Sequence, residues 1–202
     1  MTLPRVNFVG AVGLLAALGD ITRFKDGDHA AAYLGLTPST HQSGNRCYHG
    51  HITRAGSNHA RWLLTQGVQN MARHPGPLGV FFRRLAKRRN RNVAIVATAR
   101  KLVTIAFLML KHNEPYRYAK PELMRKKFRG LHYAATGERL PPQRSQRPKS
   151  LNDVYRAVGL PNATSLHQMP PGERGMLDKR KLTDWVDQIH HAPPSSPTTS
   201  SA

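Results

Sequence analysis

Between Tyr33 and Leu64 the chain reads YLGLTPSTHQSGNRCYHGHITRAGSNHARWLL. Ser43 stands beside Gly44 in a polar stretch, with Arg46, Arg54 and Arg61 near it in sequence. A serine hydroxyl is a poor nucleophile until a base or a strong field assists it. Phosphoryl transfer relies mostly on positioning and on stabilising charge. Guanidiniums around one hydroxyl therefore suit attack on a phosphate, with Ser43 as nucleophile and Arg46, Arg54 and Arg61 as clamps. Alone, a Ser-Gly pair is the ordinary signature of a turn. Ser39, Thr40 and Ser57 are competing hydroxyls that spacing does not exclude. Cys47, His49 and His51, with His41 and His59 near, have zinc-ligand types, but their spacing matches no standard finger or ribbon. Asp20, Asp26 and Asp28 read as caps and turn residues. No spaced acidic triad of a metal-dependent nuclease is visible, so catalytic carboxylates would have to come from elsewhere.

A loop of this kind needs a scaffold. Val9 to Leu18 is small and apolar and reads as a packed helix ending at Gly19. Asp28 is placed to cap a second helix, His29 to Leu34, which stops at Gly35. Thr37 to Ser57 lacks helical periodicity and reads as a long functional loop, with room for a short hairpin. Helix resumes over Asn58 to Arg73, and His74-Pro-Gly-Pro77 breaks it. Two further helices follow, Leu78 to Lys87 and Val93 to Lys111. In the second, Val93, Val96, Ala97, Leu102, Ile105, Ala106 and Met109 define a core face. The expected architecture is mainly α, a compact bundle-like helical domain over 1–135. Residues 136–202 form a linker and low-complexity tail with possible short helices, Leu151 to Val158 and Gly172 to His190. Ala192 to Ala202 is expected to be disordered.

The charge argues for the partner. The 202 residues carry 31 Lys+Arg against 11 Asp+Glu, a formal +20. Residues 1–140 hold 23 basic and 6 acidic side chains, so most of the excess lies there. Such a surface suits nucleic acid, whose phosphates release counterions when neutralised. Arg83, Arg84, Lys87, Arg88, Arg89 and Arg91, with Arg100 and Lys101, form the expected tracking surface, as do Arg125, Lys126, Lys127 and Arg129. These contacts supply affinity rather than sequence choice. Tyr116, Tyr118, Phe128 and Tyr133 are open to base stacking or to core packing. The apolar run Leu102 to Leu110 is too short to span a bilayer and is bounded by Lys101 and Lys111. Residues 1–20 show no secretory pattern. One cysteine fits a reducing compartment, so the expected location is the cytoplasm with no membrane partner.

Several ordered motifs carry a resemblance. They are Gly19-Asp20-Ile21-Thr22-Arg23-Phe24, Tyr33-Leu34-Gly35-Leu36-Thr37-Pro38, Ser43-Gly44, Gly50 to Asn58 (GHITRAGSN) and Arg61-Trp62-Leu63-Leu64. Ala99-Arg100-Lys101-Leu102 and Glu114-Pro115-Tyr116 follow downstream. Over residues 4–118 the chain resembles the carboxy-terminal, serine-containing half of bacterial transposases of the insertion sequence 110/116/902 group. The resemblance implies a DNA recombinase with two active-site parts. An acidic, RuvC-like domain would bring Mg2+, and no cofactor is implied for this chain itself. The serine that joins covalently to DNA maps to Ser43. DNA is the implied substrate, and a guide RNA and further copies or full-length transposase are implied partners. Where the family has a Pro-Gly-Val-Gly helix-hairpin-helix turn, this chain has Pro4-Arg5-Val6-Asn7, a degenerate start. The expected function is DNA transposition, strand cleavage and rejoining through a serine, with the acidic domain supplied in trans. The alternative is a non-catalytic DNA- or RNA-binding remnant.

Overall fold

The computed structural model describes residues 2–53, 55–139 and 150–191. Two compact units divide the chain, Met1–Tyr116 and Arg117–Ala202. The division falls nearer the amino terminus than the 135/136 boundary read from composition. Residues 141–149 of the stretch read as a linker, and the expected disordered tail, 192–202, lie outside the described residues.

In the first unit, α1 (Phe8–Leu18) begins where Asn7 accepts a hydrogen bond from the Gly10 N–H at 2.8 Å. Gly19 ends it at φ 61°. The next helix, α2 (Gly27–Tyr33), is capped by Asp26, not by Asp28 as the sequence suggested. Asp26 Oδ1 accepts from the N–H groups of Asp28 and His29, each at 2.9 Å. A carboxylate satisfies the free amides of a first turn and sits well against its positive dipole. The His29 side chain also bonds Asp26 and, with these amides, holds its carboxyl below the usual carboxylate range.

The stretch read as a long loop is mostly an antiparallel hairpin, β1 (Pro38–Ser43) and β2 (Arg46–Ile52). Its polar and histidine-rich strands lack the apolar alternation that marks a half-buried strand. The pairing nevertheless runs from Pro38↔Ile52 to Ser43↔Arg46, with an irregularity between Pro38 and Thr40. After the hairpin come α3 (Asn58–Val68), α4 (Pro77–Arg88) and α5 (Arg91–His112). Asn90 caps α5 through the Val93 N–H at 2.8 Å, and Asn113 closes it in the left-handed region at φ 50°.

The 22-residue α5 is the central helix. It packs on α2, α3 and α4. Its buried side is Ala94, Thr98, Ala99, Leu102, Val103, Ala106 and Phe107. This corrects the expected face, since Val93 is 44% exposed. Both readings share Leu102 and Ala106. The true face is turned to include Ala99 and Val103, buried like Ala30 and Ala31 of α2, the helix on which α5 packs. Length and composition would let α5 cross a membrane, the sole such helix among the described residues. Its packing on three neighbouring helices makes it a core element here. Leu18, Leu34, Leu36, Val68 and Met71 complete the fully buried set around it.

The second unit holds α6 (Pro121–Thr136), α7 (Leu151–Arg156), α8 (Pro171–Lys179) and α9 (Thr183–His190). Residues 150–191 are thus more organised than a linker. Ser150 and Asp153 form a reciprocal capping box at the start of α7. Leu151, Tyr155, Leu177 and Val186 are fully buried. Tyr118 is also core, its hydroxyl bonding Glu173 and lying 3.6 Å from the Met169 sulfur. Arg117 pairs with Glu173 at 2.8 Å.

His190 is buried in this unit. Its Nε2 donates to the Arg117 carbonyl at 2.8 Å, because a carbonyl can only accept. Its Nδ1 is buried without a partner. Burial holds the imidazole pKa below its ordinary value, against the opposing hydrogen bond to Arg117. A folded pKa below the unfolded one means that the unfolded chain binds the extra proton. The stability from a neutral His190 is then complete above about pH 6.5, the ordinary histidine value, and is lost as pH falls toward the lowered folded value. Urea unfolding of the second unit, followed by Trp185 emission in a Trp62→Phe background, should show this decline. His190→Gln should flatten it.

Candidate nucleic-acid interface

The hairpin turns at Gly44-Asn45. Gly44 has φ 55° at the first central position, while Asn45 is not among the positive-φ residues. This is the pattern of a type II′ turn, whose twist matches the strands it joins. Ser43 therefore sits at the tip, exposed, as the last residue of β1. Directly across the ladder stands Arg46. Side chains of such opposed residues have Cβ atoms about 4.5–5.5 Å apart. The fold thus brings one of the expected clamps beside the expected nucleophile.

Arg61 has another role. It is nine-tenths buried, and Nη1 donates to the carbonyls of Leu34 at 3.1 Å and Ala55 at 2.7 Å. Nη2 donates to Asn58 Oδ1. The guanidinium joins the end of α2 to the return of the hairpin and to the first turn of α3. This corrects its reading as a phosphate clamp, because its donors face inward to protein carbonyls. Arg54 lies outside the described residues.

Two glycines make the same junction possible. A Cβ on Gly35 would lie 2.1 Å from the Ala55 oxygen, and one on Gly56 would lie 2.0 Å from the Tyr33 oxygen. Both residues have positive φ, 68° and 79°. The two backbone segments cross in contact, and the Arg61 guanidinium fills the space beside Gly35 at 2.8 Å from that same Cβ position.

Arg23 is a cation that the sequence did not single out for binding. Its guanidinium lies 4.3 Å from the Tyr33 ring centroid and 4.7 Å from that of Phe24. Two aromatic faces orient it through cation–π attraction. Tyr33 adjoins the glycine crossing, so Arg23 stands beside the base of the hairpin. The signal in sequence was an arginine next to one aromatic residue, with its second ring ten positions away.

The expected basic surface divides into anchored and open cations. Arg83 donates to the carbonyls of Ala72 and His74 at 2.7 and 2.9 Å and fastens the turn before α4. Arg100 pairs with Asp28 at 3.3 Å. Arg91 reaches the Gln69 carbonyl at 3.5 Å, a long contact. Arg84 lies 6.0 Å from the Phe81 ring centroid. Lys87 and Arg88 end α4, Arg89 caps it, and all three are exposed, as is Lys101. Two cations in the last turn of α4 also suit its negative end.

The three aspartates of this unit are committed elsewhere. Asp20 binds the Thr22 N–H and hydroxyl, Asp26 caps α2, and Asp28 holds Arg100. Among the described residues no three His, Cys, Asp or Glu side chains gather as a metal site.

Residues 1–81 match the family model described as Transposase IS116/IS110/IS902 family. The chain is 32% identical over 120 residues to the transposase for insertion sequence element IS1111A of Coxiella burnetii, covering 57% of this chain and 33% of that protein. It is 30% identical over 118 residues to the pilin gene-inverting protein of Moraxella bovis, covering 57% and 37%. It is 28% identical over 121 residues to the insertion element IS110 protein of Streptomyces coelicolor, covering 59% and 30%. The chain spans about a third of the length of the curated relatives it matches. The relatives' printed names thus concern transposition and DNA inversion, and the matched part of this chain contains α1 to the start of α4.

Removing the Arg61 guanidinium takes a donor from the buried Leu34 carbonyl and from the part-buried Ala55 carbonyl. Arg61→Met is expected to cost about 2–4 kcal/mol, read as a lower urea midpoint at unchanged slope. Gly56→Ala should be comparably harmful, whereas Arg46→Ala should leave the midpoint within about 0.5 kcal/mol as an exposed substitution. In a separate binding measurement, Lys87→Ala/Arg88→Ala/Arg89→Ala should weaken DNA binding and lower the slope of log K against log salt by up to about 2.7, at 0.9 per phosphate contact.

Proposed function

We propose that this chain is the serine-bearing part of a DNA transposase, acting with an acidic domain supplied in trans. The observation that carries the reading is Ser43 at an exposed hairpin tip opposite Arg46, within the segment that matches the transposase family. In the proposed step, Ser43 Oγ attacks a DNA phosphorus. The O–P bond to serine forms as the bond to one strand oxygen breaks. That oxygen leaves with the proton given up by the serine hydroxyl, and the strand stays joined to Ser43. Rejoining is the reverse attack by a strand hydroxyl, which releases the serine. Arg46 would neutralise charge on the non-bridging oxygens.

Mg2+ would belong to the acidic domain. The carboxylates here do not fit a metal site, because Asp20, Asp26 and Asp28 already serve caps and Arg100. No step at Ser43 is derived through the metal. DNA is the substrate in this reading. A guide RNA and further copies of the transposase are its partners, as the family resemblance implies.

A second reading has its own support in those committed carboxylates: the chain binds DNA or RNA without performing chemistry. One experiment separates the two. A suicide DNA substrate is incubated with the chain and the acidic domain of a full-length relative, and adducts are mapped by peptide mass spectrometry. The transposase reading expects an adduct on Ser43 that Ser43→Ala abolishes. An adduct that survives this substitution would overturn the assignment. Salt-sensitive binding with no adduct would favour the non-catalytic reading.

A further inference from the structure

We infer that the groove between α1 and α3 is a pocket for one unstacked nucleotide, with the base on Trp62 and its phosphate on Arg5. The inference rests on the reading that the chain acts on DNA. The groove has a volume of about 380 Å³ and is bordered by Arg5, Asn7, Val9, Trp62 and Gln66. That volume lies within the range of roughly 300–1,000 Å³ typical of small-molecule sites.

Trp62 projects from α3 and is 56% exposed. His59, one turn earlier, stacks on it with ring centroids 6.0 Å apart and planes 24° from parallel. The indole is thereby steadied as a flat platform, the element by which proteins hold unpaired bases of any sequence. Val9 on α1 is 59% exposed and supplies a second apolar wall. The polar groups suit a nucleotide as well. Asn7, in the lining, has its Oδ1 held by the Gly10 N–H, which leaves its amide N–H groups as donors. Gln66 offers a donor and an acceptor to a base edge. Arg5 is the single cation of the lining, exposed, with φ 62°. An exposed arginine bordering the groove suits a phosphate, and an overall charge of +20 favours that ligand over a cationic one.

The outer side of α1 argues for a different occupant. Phe8, Val12 and Leu15 are exposed and apolar and would suit a protein surface. These three do not line the groove, which sets an indole, two amides and an arginine among the apolar side chains of Val6, Val9, Leu63 and Leu64. The groove itself is assigned to a nucleotide.

The test uses the full chain and short single-stranded DNA, with a matched oligonucleotide carrying abasic sites. Trp62 and Trp185 are the two tryptophans, so fluorescence is read in a Trp185→Phe background. Intact DNA should quench Trp62 emission and abasic DNA should not. Trp62→Ala should weaken binding of intact DNA roughly 5- to 100-fold, from the stacking contribution of a base, with the salt slope unchanged. Trp62→Phe should recover part of the loss. Arg5→Ala should lower the salt slope by about 0.7, one phosphate on a single strand. Circular dichroism would confirm that each variant is folded. Equal affinity for intact and abasic DNA, or an unaffected Trp62→Ala, would overturn the pocket while leaving DNA binding in place. Loss of self-association by Trp62→Ala with unchanged DNA affinity would make the groove a protein contact instead. No DNA binding by the unaltered chain would remove both this inference and the transposase reading.

Discussion

The Arg61 guanidinium governs how the hairpin meets the helices. It donates to Leu34 at the end of α2, to Ala55 after β2 and to Asn58 at the start of α3. Each acceptor belongs to a different element, and Arg61 itself is nine-tenths buried. A buried charge is tolerated only when its donors are satisfied. Here satisfaction requires all three segments in place at once. The crossing of Gly35 and Gly56 sets the distance, since a side chain at either would collide with a carbonyl. Charge and close approach thus enforce one geometry. The hairpin needs this, because its own strands are exposed and contribute little to a core. A lone two-stranded hairpin is marginal in water.

From that junction the hairpin projects Ser43 away from the helices. The arrangement separates two demands. The base is dry and rigid, with Leu34 and Leu36 fully buried. The tip is wet, so Ser43 receives no activation from a low-dielectric site. A serine at such a tip depends on what is brought to it, whether Arg46 across the ladder or charge supplied by a bound strand and its partners. Positioning rather than acid–base tuning is what this scaffold offers. Phosphoryl transfer is the chemistry for which positioning and charge matter most. Arg23 fits the same logic, as a cation aimed by the Phe24 and Tyr33 rings beside the hairpin base.

Much of the helical order was legible in the sequence, and the misses have physical causes. Gly19 and Gly35 marked helix ends, because both take a positive φ that other residues resist. Two aspartates one residue apart, Asp26 and Asp28, were both able to cap α2, and propensity could not choose between them. The face of α5 was misread because the helix is apolar nearly all round. Its burial is decided by which small residues α2 presents. The hairpin was obscured by strands rich in histidine, serine and glutamine, whose pairing depends on a II′ turn rather than on an apolar stripe. In the second unit, α7 to α9 were suspected as short helices, but their shared core of Leu151, Tyr155, Leu177 and Val186 was not. Single apolar residues in short, separated segments give no periodic signal.

The candidate site was legible in type and only partly in role. Three arginines near Ser43 look alike on the page, and Arg46 and Arg61 differ only in what lies around them once the chain folds. Arg61 is nine-tenths buried and its donors meet the Leu34 and Ala55 carbonyls and Asn58, so its charge is used inside the protein. Arg46 is on an exposed strand, and its side chain is open to solvent. The same distinction sorts the basic surface. Arg83 and Arg100 are tied to carbonyls and to Asp28, while Lys87, Arg88 and Arg89 stand exposed at the end of α4. A count of positive residues measures attraction to nucleic acid, but which cations can touch a phosphate is settled by the acceptors that the fold has already placed beside them. In this chain Arg61, Arg83 and Arg100 are spent on protein acceptors, while Arg46, Lys87, Arg88 and Arg89 stand exposed.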